Sequence, residues 1–448
     1  MPGKKRHKIV SNSQIMAFGF LMVILSGAVL LMMPIASKTG TSTNFLDCLF
    51  TSVSATCVTG LVVVDTFAHW TLFGQIVILL MIQIGGLGII TISAMLYLFF
   101  RQRIGLNMRN LIQESTFSLQ LGGVVKSLKK IIRRALIFEG IGAVLLSTQF
   151  IPKLGIARGI WYGVFHSISA FCNAGFDLMG RYEEYSSLTM FVDNPVVNFT
   201  IMGLIMTGGL GFIVWEEIAH KKFNFRKYSL HSKLVLILTV VFVLGGTVLF
   251  LLFENDNLFA GMPPGQKFMA AMFASVTPRT AGFNTTDLGA MTDGSVFLTC
   301  VFMFIGGNSG STAGGIKITT AAVIFAYIFS SLRSAPGVHI MKRRISQENI
   351  NTASMVLGLN IGLIVLAMLV ISAFQSLPIG DLLLEVFSGM GTVGLSTGIT
   401  RSLVPVSKIV LMILMFSGRI GTVTFALSFR GRRKNEVINY PEERINVG

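Results

Sequence analysis

Charged residues are scarce in this sequence. Asp, Glu, Lys and Arg supply 12% of its 448 residues, against about 25% in soluble globular chains, while 52% are hydrophobic. A soluble domain with a polar shell is excluded. Cysteine is nearly absent: Cys48, Cys57, Cys172 and Cys300 show no C-x-x-C spacing, so neither a disulfide framework nor a thiolate metal site is indicated. The six histidines fall in no motif. Ser309 or Ser311, as nucleophile of an intramembrane hydrolase, would lack a base, and the chain is read as no enzyme.

Of the two signs, acid is the scarcer, 20 residues against 36 basic, for a formal net charge of +16. Most Lys and Arg gather in five clusters, 4–8, 101–134, 221–233, 333–344 and 430–444, and acids outnumber bases between them. A nucleic-acid protein would carry its basic surface on a folded soluble domain, and none remains to hold one. The alternation follows the positive-inside rule, with basic segments retained in the cytoplasm. Anionic lipid headgroups or a protein partner then face the clusters.

What the chain has in abundance is long apolar runs. Ile15 to Pro34, Leu72 to Phe100 and Leu234 to Phe253 approach or exceed the 20 or so residues that cross roughly 30 Å of hydrocarbon. Residues 4–35 imitate a signal peptide, but the apolar run is too long and the repeat described next needs it as a membrane helix. A polytopic membrane protein with both termini cytoplasmic is expected.

Between basic clusters the chain reads the same way four times. Each unit has a long apolar run, a short semi-polar run, a small-residue loop ending in Gly, and a second apolar run. The boundaries are 1–110, 111–222, 223–345 and 346–448. Expected helices are 14–36, 43–56 and 71–100; 129–151, 158–171 and 195–219; 231–253, 265–277 and a broken span 294–332; 352–376, 379–390 and 405–429. The fold class is an all-α bundle of four parallel repeats around one central pore, with eight transmembrane helices and four short re-entrant ones. Parallel units favour a channel-like pore over a secondary transporter with inverted repeats.

The loops are Cys57-Val58-Thr59-Gly60, Cys172-Asn173-Ala174-Gly175, Arg279-Thr280-Ala281-Gly282 and Gly391-Thr392-Val393-Gly394, each followed by a bulky apolar residue. Thr392-Val393-Gly394 is the core of the loop whose carbonyls replace the hydration shell of K⁺ in potassium channels. A non-helical loop at membrane depth is tolerated where it lines a cavity or is buried in protein. The carbonyl end of each short helix favours a cation, and four loops around one axis would hold a dehydrated monovalent cation without a charged ligand.

These four loops resemble the degenerate selectivity filters of the Trk/Ktr/HKT cation-transporter superfamily. Gly306-Gly307-Asn308-Ser309-Gly310-Ser311-Thr312-Ala313-Gly314-Gly315, with Arg419 in the last helix, is similar to KtrB-type and TrkH-type subunits, and the match runs along essentially the whole chain. The resemblance implies a K⁺ uptake subunit in a bacterial cell membrane, often Na⁺-dependent, with one pore in each subunit of a homodimer. It implies a cytoplasmic regulatory ring of KtrA or KtrC type that binds ATP or ADP, so that no cofactor belongs to this chain. A secondary active K⁺ symporter is the alternative. In plant relatives a serine at the first filter glycine accompanies Na⁺ preference, and Gly60 therefore favours K⁺.

Five glycines among the ten residues from Gly306 to Gly315 disfavour a regular helix, and a gating loop beneath the filter is expected there. A nucleotide P-loop is excluded, since Ile316 separates Gly315 from Lys317. Arg419, a charge within an apolar helix, marks a functional site by default, either a barrier in the pore or a salt bridge to Glu139. Lys317 is expected to snorkel toward the cytoplasm. Arg279 should lie behind its loop, paired with an acid. His166 is expected as a packed neutral histidine, and Trp70, Trp161 and Trp215 as interfacial anchors.

Overall fold

The structure is a computed structural model that describes residues 12–88, 91, 124–222, 224–335, 337–429 and 443. The basic cluster at 4–8, most of that at 101–134 and nearly all of that at 430–444 lie outside them. The described fold is predominantly helical, with one small hairpin pairing His339–Ile340 and Arg343–Arg344.

Four long helices, Asn12–Met32, Val124–Leu154, Leu230–Glu254 and Gln347–Phe374, recur along the chain. These four are long and apolar enough to cross a membrane. Asn12–Met32 carries no charged residue. Apolar side chains cover the outward faces too, with Val144 66%, Leu252 71% and Leu369 65% exposed. A helix apolar all round needs hydrocarbon or protein on every side.

After each long helix comes a short one: Phe45–Thr56, Ile156–Phe171, Pro264–Val276 and Ile379–Gly391. The first begins where Asn44 accepts a hydrogen bond from the Leu46 N–H, and the third opens on a proline at its first position; both are ordinary helix starts. None is long enough to span a bilayer.

The second apolar run of each unit departs from expectation. The stretches 195–219 and 405–429 are not continuous. Pro195–Leu210 meets Phe212–Lys221 at 95°, and Pro405–Ile420 meets Thr422–Ser428 at 106°. The expected 71–100 helix runs as Leu72–Leu87 and ends at Gly88. Gly88, Gly211 and Gly421 share one conformation, with φ of 87°, 93° and 95° and ψ of 136°, 143° and 129°, a region other residues rarely enter. The third run is broken as expected, into Asp293–Phe304 and Ile318–Leu332. By length and composition, four helices among the described residues, or six if each bent pair counts as one, are long and apolar enough to cross a membrane, against the eight spans expected.

Much of the apolar core joins one unit to another. One cluster joins Phe50 of the first short helix to Ile364 and Leu411; another joins Trp70, Phe165 and Phe283; a third joins Met303, Leu384 and Val393. The last apolar helix is tied back to the first short helix by Lys408 Nζ, 2.8 Å from Asp47 Oδ1. First and last parts of the chain are thus neighbours. The tryptophans are not the expected anchors: Trp70 and Trp215 are buried, the latter among Phe138, Phe171 and Phe212, because their faces are covered by adjacent helices. Trp161 is half-buried and donates to Gln75 Oε1 at 3.0 Å.

Candidate functional site

Each short helix ends at one of the four small-residue loops, and the loops share one backbone pattern. Two residues before each glycine stands a non-glycine residue with positive φ: Val58 at 57°, Asn173 at 60°, Thr280 at 67° and Thr392 at 51°. The glycines follow at 96° for Gly60, 68° for Gly175, 79° for Gly282 and 93° for Gly394. Positive φ at a β-branched residue is strained, on the order of 1–3 kcal/mol. Three of the four positions accept that cost, so the surrounding structure dictates the loop shape.

The loop N–H groups are satisfied from behind. Thr59, Ala174 and Val393 donate to the carbonyls of Ser54, Ser169 and Ser388 at 2.8, 2.7 and 2.9 Å. The hydroxyls of the same serines also serve the loops. Ser54 Oγ and Ser388 Oγ accept from the N–H of Gly60 and Gly394 at 3.0 and 2.9 Å, and Ser169 Oγ donates to Phe176 O at 2.7 Å. In the third unit Val276 holds that position and the hydroxyl of Thr277 does the work, donating to Phe283 O. The role of these residues as loop clamps was missed in the sequence. The recurring hydroxyl near one register was the available signal.

The glycines meet in a closed ring. A Cβ on Gly60 would stand 2.5 Å from Ala174 O, and one on Gly175 would stand 2.8 Å from Ala281 O. On Gly282 it would run into Val393 O, and on Gly394 into Thr59 O. Loop one therefore abuts loop two, two abuts three, three abuts four, and four returns to one. Every contact pairs a glycine with the carbonyl preceding the next glycine. The carbonyls of Thr59, Ala174, Ala281 and Val393 accept no hydrogen bond from the described residues. Thr56, Thr59 and Thr392 hydroxyls and Asn173 Oδ1 are likewise buried without partners among the described residues. Buried polar atoms without partners mark a functional or solvated place.

Above the ring lies a cavity of about 140 Å³ that all four glycines line. Below it packs the Gly306–Gly315 loop. Gly314 abuts Thr392, Gly306 has Thr280 Cγ2 3.2 Å from the place of a Cβ, and Gly315 has Gly391 Cα at the same distance. The broken helices hold this loop. Asn308 N and Nδ2 both donate to Gly209 O, at 3.2 and 2.9 Å, and Thr312 N donates to Gly208 O at 3.3 Å. Phe212 N donates to Gly310 O at 2.8 Å. Ser311 Oγ donates to Asn308 O at 2.6 Å, Ser309 Oγ lies 3.5 Å from Thr319 Oγ1, and Ala313 packs on Gly307.

Arg419 reaches into the same place. It donates to Thr312 O in the loop and to Gly85 O and Gly86 O at the end of Leu72–Leu87. Those carbonyls belong to the last turn of a helix stopped at Gly88, where unsatisfied acceptors and the negative end of the dipole favour a cation. The salt bridge to Glu139 does not form; Glu139 instead accepts from Gln83 Nε2 at 3.0 Å. Lys317 does not snorkel either. Its Nζ turns back to Ala313 O at 2.7 Å and Gly314 O at 3.1 Å, because the helix it precedes starts directly below the loop. Arg279 is buried behind the third loop as expected, but it donates to Thr239 Oγ1 at 3.2 Å and meets no acid among the described residues. His166 is packed: Leu178 N donates to its Nε2 at 3.3 Å, so Nδ1 carries the proton and donates to Tyr162 O at 2.7 Å.

Residues 4–437 match the family model described as cation transport protein, TrkH. The chain is 38% identical to the potassium/sodium uptake protein NtpJ of Enterococcus hirae, covering 99% of both chains. It is equally 38% identical to Ktr system potassium uptake protein B of Bacillus subtilis, over 97% of this chain and 96% of that one. The crystal structure of the potassium transporter TrkH from Vibrio parahaemolyticus superposes with a TM-score of 0.76 at 17% identity, covering 96% of this chain and 87% of the other, which speaks for the fold alone. Matched along nearly its whole length and more than one third identical to two full-length relatives, the chain belongs to the TrkH family of cation transport proteins.

Proposed function

We propose that this chain is the ion-translocating membrane subunit of a K⁺ uptake system, a channel-like monovalent cation pore through the ring of Gly60, Gly175, Gly282 and Gly394. The closed ring carries the reading. Four uncommitted carbonyls, each against the neighbouring loop's glycine, offer oxygen ligands in place of hydration water, and their N–H groups are held away from the axis. The ion sites comprise Cys57, Val58, Thr59 and Gly60 with Cys172, Asn173, Ala174 and Gly175, then Thr280, Ala281 and Gly282, then Thr392, Val393 and Gly394. The unpartnered oxygens of Thr59, Asn173 and Thr392 along the same loops support a path that carries ions or water.

The Gly306–Gly315 loop and Arg419 form the gate in this reading. The loop lies directly beneath the ring, and Arg419 latches it to the first repeat with a positive charge in the cation path. A cytoplasmic nucleotide-binding regulator opens the gate, in keeping with relatives named as parts of a Ktr system. The Enterococcus hirae relative, named a potassium/sodium uptake protein, supports Na⁺ as a companion ion. Four parallel repeats, a homodimer, a place in the bacterial cell membrane and cytoplasmic termini complete the proposal.

Expression in a K⁺-uptake-deficient bacterium tests it. Growth at low K⁺ is expected, enhanced by a KtrA-like partner. Failure to grow with or without that partner, while the chain sits in the membrane, would sink the assignment.

A further inference from the structure

The cavity above the glycine ring holds a charge that a cation path would not be expected to keep. Its wall includes Asp65 and Asp287, which attract cations, the partly buried Asp177, and also Arg401. Arg401 makes no ion pair or hydrogen bond with any described residue. Its guanidinium carbon instead lies 3.8 Å from the centre of the Tyr185 ring, a cation–π contact that keeps the full positive charge.

This placement is built by three separate parts of the chain. Asp65, following the first loop, accepts from Phe67 N and Ala68 N through Oδ1 at 2.8 and 2.6 Å. Its other oxygen, Oδ2, accepts from Tyr185 N at 3.0 Å. Tyr185 has φ 63°, and Gly180 fits against the Asp65 carboxylate where any Cβ would collide. The acidic segment of the second unit is thus clipped over the mouth, and its Tyr185 presents a ring to Arg401 from the fourth unit. Arg401 sits on the turn Ile399–Ser402, entered through Gly398 at φ 100°. A surface arginine with no structural partner would need none of this support.

We propose that Arg401 determines specificity at the outer mouth, by keeping multivalent cations from occupying the cavity above the ring. The inference rests on the pore reading given above. Coulomb energy scales with the product of charges. The carboxylates of Asp65 and Asp287 draw a divalent cation twice as strongly as K⁺, and a divalent ion, which surrenders its hydration shell far more reluctantly, would lodge above the ring and block it. One fixed positive charge likewise repels a divalent ion twice as strongly, so it offsets the divalent attraction while costing K⁺ less.

The test is K⁺ uptake by intact cells of a K⁺-uptake-deficient bacterium, titrated with external Ca²⁺, for the wild-type chain and for Arg401→Gln, Arg401→Lys and Tyr185→Leu. Arg401→Gln is expected to be half-blocked at about five- to tenfold lower Ca²⁺. Arg401→Lys keeps the charge and stays near wild type, and Tyr185→Leu, which frees the guanidinium from its ring, falls between. Wild-type sensitivity in Arg401→Gln overturns the proposal. Should that variant not reach the membrane, unchanged block in Tyr185→Leu overturns it equally. Absence of K⁺ uptake by the wild-type chain would instead strike at the pore reading, so the two failures are distinguishable.

Discussion

At the scale of single residues, the ring glycines carry the strictest demand. Gly60 and Gly394 hold φ near the same value and leave no room for a Cβ beside the neighbouring loop's backbone. Strain of about 1–3 kcal/mol expressed as weakened ion binding amounts to about five- to 150-fold. Gly394→Ala should therefore abolish growth at low K⁺ while protein remains in the membrane, and Gly60→Ser should shift preference toward Na⁺ in competitive uptake. The loop-clamping serines should behave more gently. Ser388→Ala removes the acceptor of the Gly394 N–H and leaves a buried donor without a partner, at about 1–3 kcal/mol; a lower K⁺ to Na⁺ uptake ratio is the expected readout. Asp177, outside the spanning helices, offers a pH signature. Burial raises its carboxyl from 3.8 to about 7, with the Met179 N–H pulling down and the Asp65 charge pushing up. Because the folded value is the higher, its neutral form contributes stability at pH below 3.8 that is lost as pH rises through about 7. Asp177→Asn should gain thermal stability relative to wild type at pH 8 and none at pH 3.5, in detergent melts.

At the scale of elements, the broken helices explain what single residues do not. A continuous helix through Gly88 would use the carbonyls of Gly85 and Gly86 internally. Stopping at Gly88 leaves them to Arg419, and stopping at Gly211 leaves those of Gly208 and Gly209 to the Gly306–Gly315 loop. The helix breaks and the Arg419 contacts are one construction. Arg419→Ala removes both the charge and the tie, and is expected to raise K⁺ flux several-fold without the regulator, measured as Rb⁺ uptake into vesicles. An unchanged flux would reject the barrier role. The glycines of these runs were plain in the sequence, yet the breaks were not. One glycine costs a helix only about 1 kcal/mol, and whether it breaks depends on partners elsewhere that take up the freed carbonyls.

For the whole molecule, closure depends on contacts far apart in the chain. The pair Lys408–Asp47, partly buried, joins the last apolar helix to the first short helix. Removing one partner should cost about 1–3 kcal/mol, between the values for exposed and buried pairs. Lys408→Ala should lower the melting temperature in detergent, and the exchanged pair Lys408→Asp with Asp47→Lys should recover part of the loss.

The long apolar runs, the four loops and the register of their glycines were legible because membrane solvation and the left-handed conformation act on single residues and short segments. By itself, then, the sequence determined a membrane protein with four matching glycine loops and a glycine-rich stretch beneath them. Only the tertiary structure decided that the loops close on one another, that Arg419 binds carbonyls rather than Glu139, that Lys317 turns inward, and that Arg401 rests on Tyr185. Lys317 apart, whose acceptors are three and four positions away, each is a choice of partner among residues a hundred or more positions apart. Such choices follow from where the backbone leaves acceptors and rings unoccupied, and no local pattern of residues records that.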